Sequence, residues 1–368
     1  MPSDTTPPLQ RLSALGQSVW VDFLSRESIR GGHLQELIDD YAVVGATSNP
    51  TIFEKAMSEG SAYDEQLHEL GGADVADSFW ALAVQDIKDA CDLFRPVWDG
   101  GAARDGYVSL EVDPRLAYDT LRTYREAMRL HETVDRPNLM VKIPATKPGL
   151  AAIEDVLAKG RSINVTLIFS LRRYGEVAES YLRGIERLIA EGGDPGKVAS
   201  VASFFVSRID TEADRRLQEA GHPELEGKLA IANAKLAYEH YRQAFSGPRW
   251  EYLAGKGATP QRVLWASTST KNHAYPDTLY VDELIGPDTV NTMPEDTIKA
   301  YQDHGEPQPR LESELQAAHE LFEELAQAGV DYADVTDTLE REGVEKFSES
   351  FEELMRSLSA KRESLAPA

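Results

Sequence analysis

Six polar residues stand within, or at the ends of, otherwise apolar runs of this 368-residue chain: Asp22, Glu111, Lys142, Asn164, Thr166 and Ser203. Lys142 is the sharpest case, set in Leu139-Met-Val-Lys-Ile-Pro-Ala-Thr146 between Val141 and Ile143. An ammonium group in a buried strand is costly unless it is paired or gives up its proton. Two readings follow. Lys142 is either a structural cation paired with Asp22 or Glu111, or a neutral amine that attacks a carbonyl and forms a Schiff base. In the second reading Glu111 and Asp22 are two carboxylates with separate acid and base tasks. The non-catalytic reading of these carboxylates is a partner for Arg115 or a capping role near Pro114.

Other candidates surround these. Asn49 precedes Pro50 at the exit of an apolar run, where Asn-Pro starts turns as readily as it serves a ligand. Phe205 reads as core. Arg208 and Lys271 follow two late runs, and Ser267-Thr-Ser-Thr-Lys-Asn272 packs hydroxyls beside a cation. Such a cluster suits a phosphate, and equally two surface cations.

Positioning these residues requires strands. Apolar runs occupy residues 18–24, 43–48, 106–112, 139–144, 162–168, 199–206 and 262–267, with a weaker eighth at 288–293. Most are apolar at both alternating sets of positions, as strands buried on both faces of a parallel sheet must be. Helix-period segments lie between them at 77–97, 114–130, 176–191, 210–220 and 226–245, and beyond the last strand at 311–325 and 347–365. Strands alternating with helices, and no glycine-rich dinucleotide turn, predict an α/β fold of the (β/α)8 TIM-barrel type, with additional C-terminal helices packed outside. Such a barrel gathers its C-terminal strand ends around one mouth, which would bring the polar residues together. A single domain over 1–368 is expected, with an N-terminal extension at 1–17 and peripheral helices from about 295 to 368.

Composition narrows the function. The chain holds 38 Lys and Arg against 62 Asp and Glu, a net charge of −24. A surface this acidic disfavours nucleic acid and anionic membranes as partners. An anionic small molecule stays possible where cations cluster locally. The single cysteine, Cys91, excludes an internal disulfide framework and reads as a small buried hydrophobe. No run approaches the ~18 apolar residues of a membrane span, and no secretory signal opens the chain, so a cytoplasmic protein is expected. Gly192-Gly-Asp-Pro-Gly-Lys197 is too short for a P-loop, and Val198 stands where Ser or Thr would bind magnesium. The eight histidines show no metal-ligand spacing, so no metal is expected.

The ordered motifs resemble one family. Gly45-Ala-Thr-Ser-Asn-Pro-Thr-Ile-Phe53, Val108-Ser-Leu-Glu-Val-Asp-Pro-Arg-Leu116, Leu139-Met-Val-Lys-Ile-Pro-Ala-Thr146, Ile163-Asn-Val-Thr-Leu-Ile-Phe-Ser170 and Ala202-Ser-Phe-Phe-Val-Ser-Arg-Ile209 are similar to the signatures of the transaldolases, in the class I aldolase superfamily. The first-strand segment around Asp22 matches more loosely. The resemblance implies a barrel with no cofactor and no metal that transfers a dihydroxyacetone unit from sedoheptulose 7-phosphate to glyceraldehyde 3-phosphate, in the non-oxidative pentose phosphate pathway. It implies Lys142 as the Schiff-base lysine, Glu111 with Thr166 as the proton relay through a water, and Asp22 as the base at the C4 hydroxyl. Asn49 and Asn164 would hold sugar hydroxyls, Ser203 the C1 hydroxyl, and Phe205 would shape the pocket. Arg208, Ser269 and Lys271 would hold the phosphate. Many members carry Arg where Lys271 stands. A lysine offers a point charge rather than a fork, which leaves more of the phosphate orientation to Arg208.

Sugar phosphates are therefore the expected partners, for a chain that is a monomer or a homodimer. A fructose-6-phosphate aldolase-like enzyme, which releases dihydroxyacetone instead of transferring it, is the alternative. A non-catalytic barrel scaffold is the third reading. Residues 273–287 form a long excursion before the last strand, and the sequence leaves open whether it lids the site.

Overall fold

Strands buried on both faces must satisfy their backbone groups against one another, under a cover of helices. The computed structural model, which describes residues 6–365, does this with a closed parallel barrel in strand order β1 to β8. The strands are β1 Gln17–Val21, β2 Val43–Thr47, β3 Val108–Glu111, β4 Leu139–Pro144, β5 Ile163–Ile168, β6 Ser200–Phe205, β7 Arg262–Ala266 and β8 Thr289–Met293. β1 pairs in parallel with both β2 and β8, which closes the ring. All eight expected runs hold a strand, the weaker eighth included, and the fold is the expected TIM barrel.

Helices Val75–Gly100, Leu171–Ala190, Ser207–Ala220 and Leu229–Ala244 fall on four of the expected segments. The fifth differs. Residues 114–130 divide into a 3-10 turn, Pro114–Leu116, and a helix, Thr120–Val134. The break falls at Asp119, which is extended and whose side chain accepts from the Arg122 N–H, starting a new helix. Several helices went unread, among them Pro50–Ser58 and Lys147–Ala158. Each of these two carries proline in its first turn, the one helical place where the missing N–H costs nothing.

A shared local device keeps three mouth turns short. Two residues past the end of β2, β4 and β5 stand Asn49, Thr146 and Ser170, and each caps the next helix by accepting from a backbone N–H. Strand end and helix start are thus locked within a few residues, which fixes the side chains at the mouth. β5 also bends there. Leu167 has φ of 58°, and the β5–β6 register shifts between Val165 and Ile168, as at a bulge that re-aims its neighbours. On the other side of the barrel, Gly45 passes so close to Trp20 that a Cβ would lie 2.6 Å from the ring.

Of the expected N-terminal extension, residues 1–5 lie outside the described residues, and the remainder forms the helix Pro8–Ala14 before β1. After β8 come helices Glu295–His304, Leu315–Gln327 and Tyr332–Leu365, outside the strand ring, while residues 366–368 lie outside the described residues. The expected helix 347–365 is the second half of the last of these. That helix runs across the loops of the mouth: Ser350 accepts from Thr51 at 3.0 Å and Glu340 pairs with Arg173 at 3.1 Å. Gly343 permits the approach, since a Cβ there would meet Leu167 at 3.1 Å. Cys91 is fully buried, as expected. Among the described residues no helix is long and apolar enough to cross a membrane.

Candidate active site

Register assembles the centre of the site. Glu111 on β3 lies opposite Lys142 on β4, and Lys142 opposite Asn164 on β5. Paired residues of parallel strands share a face, so the three make one row inside the barrel. Lys142 and Glu111 are each 5% exposed and Asn164 is fully enclosed. The Lys142 Nζ lies 3.4 Å from a Glu111 carboxylate oxygen and donates to the Ser48 carbonyl at 3.0 Å. Of the two partners the sequence offered for Lys142, Glu111 is the one in contact. Arg115 pairs with Asp113 instead, at 2.6 Å.

Beyond that ion pair, neither carboxylate oxygen of Glu111 has a hydrogen bond among the described residues, and nor does the Thr166 hydroxyl. Buried polar groups are normally satisfied, so this cluster holds unused capacity for accepting and donating protons. Burial pushes the Glu111 carboxyl above its ordinary range, with Lys142 pulling it down. Asp22, just past β1, is also raised by burial, against the opposing pull of Lys142, Thr47 and Arg208. Thr47 donates to Asp22 at 2.7 Å, and its hydroxyl also lies 2.7 Å from that of Thr292.

A cavity of about 370 Å³ opens over Lys142. Nine of the eleven residues singled out from the sequence line it: Asp22, Asn49, Lys142, Thr166, Ser203, Phe205, Arg208, Ser269 and Lys271. The other two stand behind that lining. Glu111 is reached through Lys142. Asn164 uses both ends of its amide, donating to Ser109 at 3.0 Å and accepting from Ser203 at 2.7 Å, so it orients Ser203 rather than facing the cavity. Asn49 does two things, since its oxygen caps the helix Pro50–Ser58 through the Ile52 N–H while the residue borders the cavity.

The rim is cationic. Lys55, Lys142, Arg208 and Lys271 line the cavity with Asp22 as the one carboxylate among its lining residues. The Arg208 guanidinium lies over the Phe205 ring at 5.1 Å and the Phe347 ring at 5.9 Å. Lys271 donates to Ser269 at 2.9 Å. Burial lowers the proton affinity of both Arg208 and Lys271, and the Arg208 charge lowers that of Lys271 further. In a chain of net charge −24, the cavity reverses the local sign and suits an anionic ligand.

Among the lining residues that sequence reasoning missed are Thr47, Lys55, Thr292 and Phe347. Thr47 and Thr292 lie in runs that were recognised, and a hydroxyl in a buried strand was the available signal. Lys55 follows Asn49 by less than two turns on an unread helix. Phe347 gave no signal, because it reaches the cavity from the last helix. Chemically, the site offers an amine beside a carboxylate, a second carboxylate at the cavity wall, hydroxyls and a cationic rim. That is an equipment set for forming an imine with a carbonyl compound that carries a distant negative charge.

The family model described as Transaldolase/Fructose-6-phosphate aldolase matches residues 19–358. The chain is 54% identical over 367 residues to a protein named Transaldolase from Parafrankia sp. (strain EAN1pec), covering 98% of this chain and 99% of that one. It is 54% identical over 358 residues to a Transaldolase of Saccharopolyspora erythraea (96% and 97% covered). It is 51% identical over 361 residues to a Transaldolase of Mycobacterium bovis (96% and 97% covered). With motifs, barrel and full-length similarity in agreement, the chain belongs to the transaldolase/fructose-6-phosphate aldolase family.

Proposed function

We propose that this enzyme is a transaldolase that carries a dihydroxyacetone unit on Lys142, from sedoheptulose 7-phosphate to glyceraldehyde 3-phosphate, yielding erythrose 4-phosphate and fructose 6-phosphate. The observation that carries the reading is the buried Lys142–Glu111 pair, 3.4 Å apart, at the floor of a cavity with a cationic rim. Glu111 takes the Lys142 proton, and the freed amine attacks the ketose C2 carbonyl. The carbinolamine then loses water, with Glu111 and Thr166 returning the proton to the departing oxygen. Asp22 removes the C4 hydroxyl proton as the C3–C4 bond breaks, and the electron pair passes into the iminium. The aldose leaves, the three-carbon enamine stays, and a second aldose reverses the sequence.

Ser203, held by Asn164, and Asn49 fix the hydroxyls of the retained unit. Arg208, Ser269 and Lys271 hold the phosphate. Anchoring both ends of the substrate around one reacting carbon is where orientation lowers the barrier. The reading places the chemistry in the cytoplasm, on the non-oxidative pentose phosphate route.

Borohydride trapping tests it. The protein is incubated with fructose 6-phosphate, reduced, digested and mapped by mass spectrometry. A three-carbon adduct on Lys142 is expected, and a folded protein without it overturns the assignment. Turnover of fructose 6-phosphate that needs an added aldose phosphate marks transfer. Equal turnover without one marks release of dihydroxyacetone instead.

A further inference from the structure

The two cationic arms of the rim come from different elements. Arg208 lies in the first turn of the helix Ser207–Ala220 after β6, and Lys271 lies in the segment after β7. Two cations facing one cavity repel each other until an anion arrives, so something else must hold them in place.

The two segments leave the barrel already joined. The Val206 and Ser207 N–H groups donate to the carbonyls of Ala266 and Ser267, at 2.9 and 3.0 Å, and the Ser207 and Ser267 hydroxyls are 2.9 Å apart. Further out, two carboxylates one turn apart on the same face of the helix capture two tyrosines of the excursion after β7. Tyr280 donates to Asp210 at 2.8 Å and Tyr275 donates to Asp214 at 2.7 Å. Each carboxylate also accepts a backbone N–H from the next stretch of chain, Ala230 to Asp210 at 2.7 Å and Gly227 to Asp214 at 2.9 Å.

Tyr275 closes a compact turn directly after Lys271, its N–H donating to the Asn272 carbonyl at 3.1 Å. Its ring packs on Gly227, where a Cβ would lie 2.8 Å away. Asp210 is 1% exposed and has no cationic partner among the described residues. Burying a carboxylate on neutral donors alone is expensive, and the proposed reaction makes no use of this group.

We propose that Asp210 and Asp214 are positioning residues, which by holding Tyr280 and Tyr275 make residues 268–280 a fixed strap, not a lid, and set the spacing of Arg208 and Lys271 for a sugar phosphate. This rests on the reading of Arg208, Ser269 and Lys271 as the phosphate clamp.

The test uses the full-length enzyme with fructose 6-phosphate as donor and inorganic phosphate as competitive probe, in Tyr275→Phe, Asp214→Ala, Asp214→Asn and Lys271→Ala. Tyr275→Phe and Asp214→Ala should raise KM for fructose 6-phosphate and the inhibition constant of phosphate together, about three- to tenfold, with kcat within about twofold. Asp214→Asn, which can still accept from Gly227 and donate to the Tyr275 oxygen, should stay near the parent values. If Tyr275→Phe and Asp214→Ala lower only the melting temperature, while Lys271→Ala weakens phosphate, the positioning role is overturned and the clamp stands. If Lys271→Ala leaves phosphate inhibition unchanged, the clamp reading falls and the positioning role with it.

Discussion

The two ends of the barrel treat buried charge in opposite ways. At the N-terminal end, Arg262 opens β7 and donates to the Ser18 hydroxyl, the Arg104 carbonyl and the Asp105 carboxylate, at 2.9, 2.6 and 2.9 Å. Asp105 in turn accepts from Ser18 at 2.8 Å and from the Trp20 indole at 3.2 Å. The network closes on itself. At the C-terminal mouth, Glu111 and Thr166 are as deeply buried, yet beyond the Lys142 pair their oxygens have no hydrogen bond among the described residues. The Arg262–Asp105 network spends its polar groups on holding segments together, whereas Glu111 and Thr166 keep theirs uncommitted. In a TIM barrel, chemistry belongs to the C-terminal face and stability to the opposite one. Here the difference can be seen bond by bond.

Substitutions at the two ends should therefore separate activity from stability. The largest effect is expected for Lys142→Ala: imine formation and turnover are lost while circular dichroism and melting remain those of a folded barrel. Unchanged turnover in that folded variant would sink the assignment of the nucleophile. Glu111→Gln comes next. It should slow imine formation by about 10²–10⁴-fold, the usual worth of a positioned acid–base group, in single-turnover trapping. An effect seen only in KM would remove Glu111 from the relay.

At the other end, Arg262→Met leaves the half-buried Asp105 carboxylate without its cation. A loss of about 1–3 kcal/mol, the cost of leaving hydrogen-bonding groups unpaired, is expected in denaturant unfolding, with kcat/KM at low temperature within about threefold of the parent. A large loss of kcat in the folded variant would contradict the division of labour between the ends.

The smallest effect concerns pH. His131, on the helix Thr120–Val134, packs at the N-terminal end with its Nε2 3.0 Å from the Ser162 carbonyl. Burial pushes its pKa down to about 4. A group depressed in the folded state contributes stability that is complete above its unfolded value near 6.5 and is lost as pH falls towards 4. His131→Gln should therefore melt a few degrees below the parent at pH 7, and the gap should close by pH 4. A gap independent of pH would mean that the ring matters only for packing. Asp22 and Glu111 at the mouth are shifted the other way, since burial raises both. Their contribution is present at low pH and lost as pH rises through their elevated values. The two ends thus respond to pH with opposite sign.

Legibility in the sequence followed the same division. The strands were readable because runs buried on both faces carry a continuous apolar pattern, and the site was readable because Glu111, Lys142, Thr166 and Ser203 interrupt it. A charge in such a run needs a reason, and catalysis was one of two on offer. The helices Pro50–Ser58 and Lys147–Ala158 were hidden by Asn49-Pro50 and Pro148-Gly149 at their entries, which read locally as turn. The division of 114–130 was missed because Asp119 looks like any charged residue on a helix face until its cap geometry is seen. Asn164 illustrates a subtler gap: its place in the run was legible, but not that both ends of its amide are engaged by serines on neighbouring strands.

The sequence by itself determined the alternation of strands and helices, the polar residues that had to be buried, and the family motifs that order them. Only the tertiary structure decided which of them touch. It chose Glu111 over Asp22 as the partner of Lys142, through a strand register that no local pattern encodes. It laid the last helix across the mouth, bringing Phe347 to the cavity beside Arg208, and it tied Tyr275 and Tyr280 to the helix that carries Arg208. The physical reason is range. Periodicity and capping act over a few residues, while these contacts exist only once the barrel has closed and distant segments share one surface.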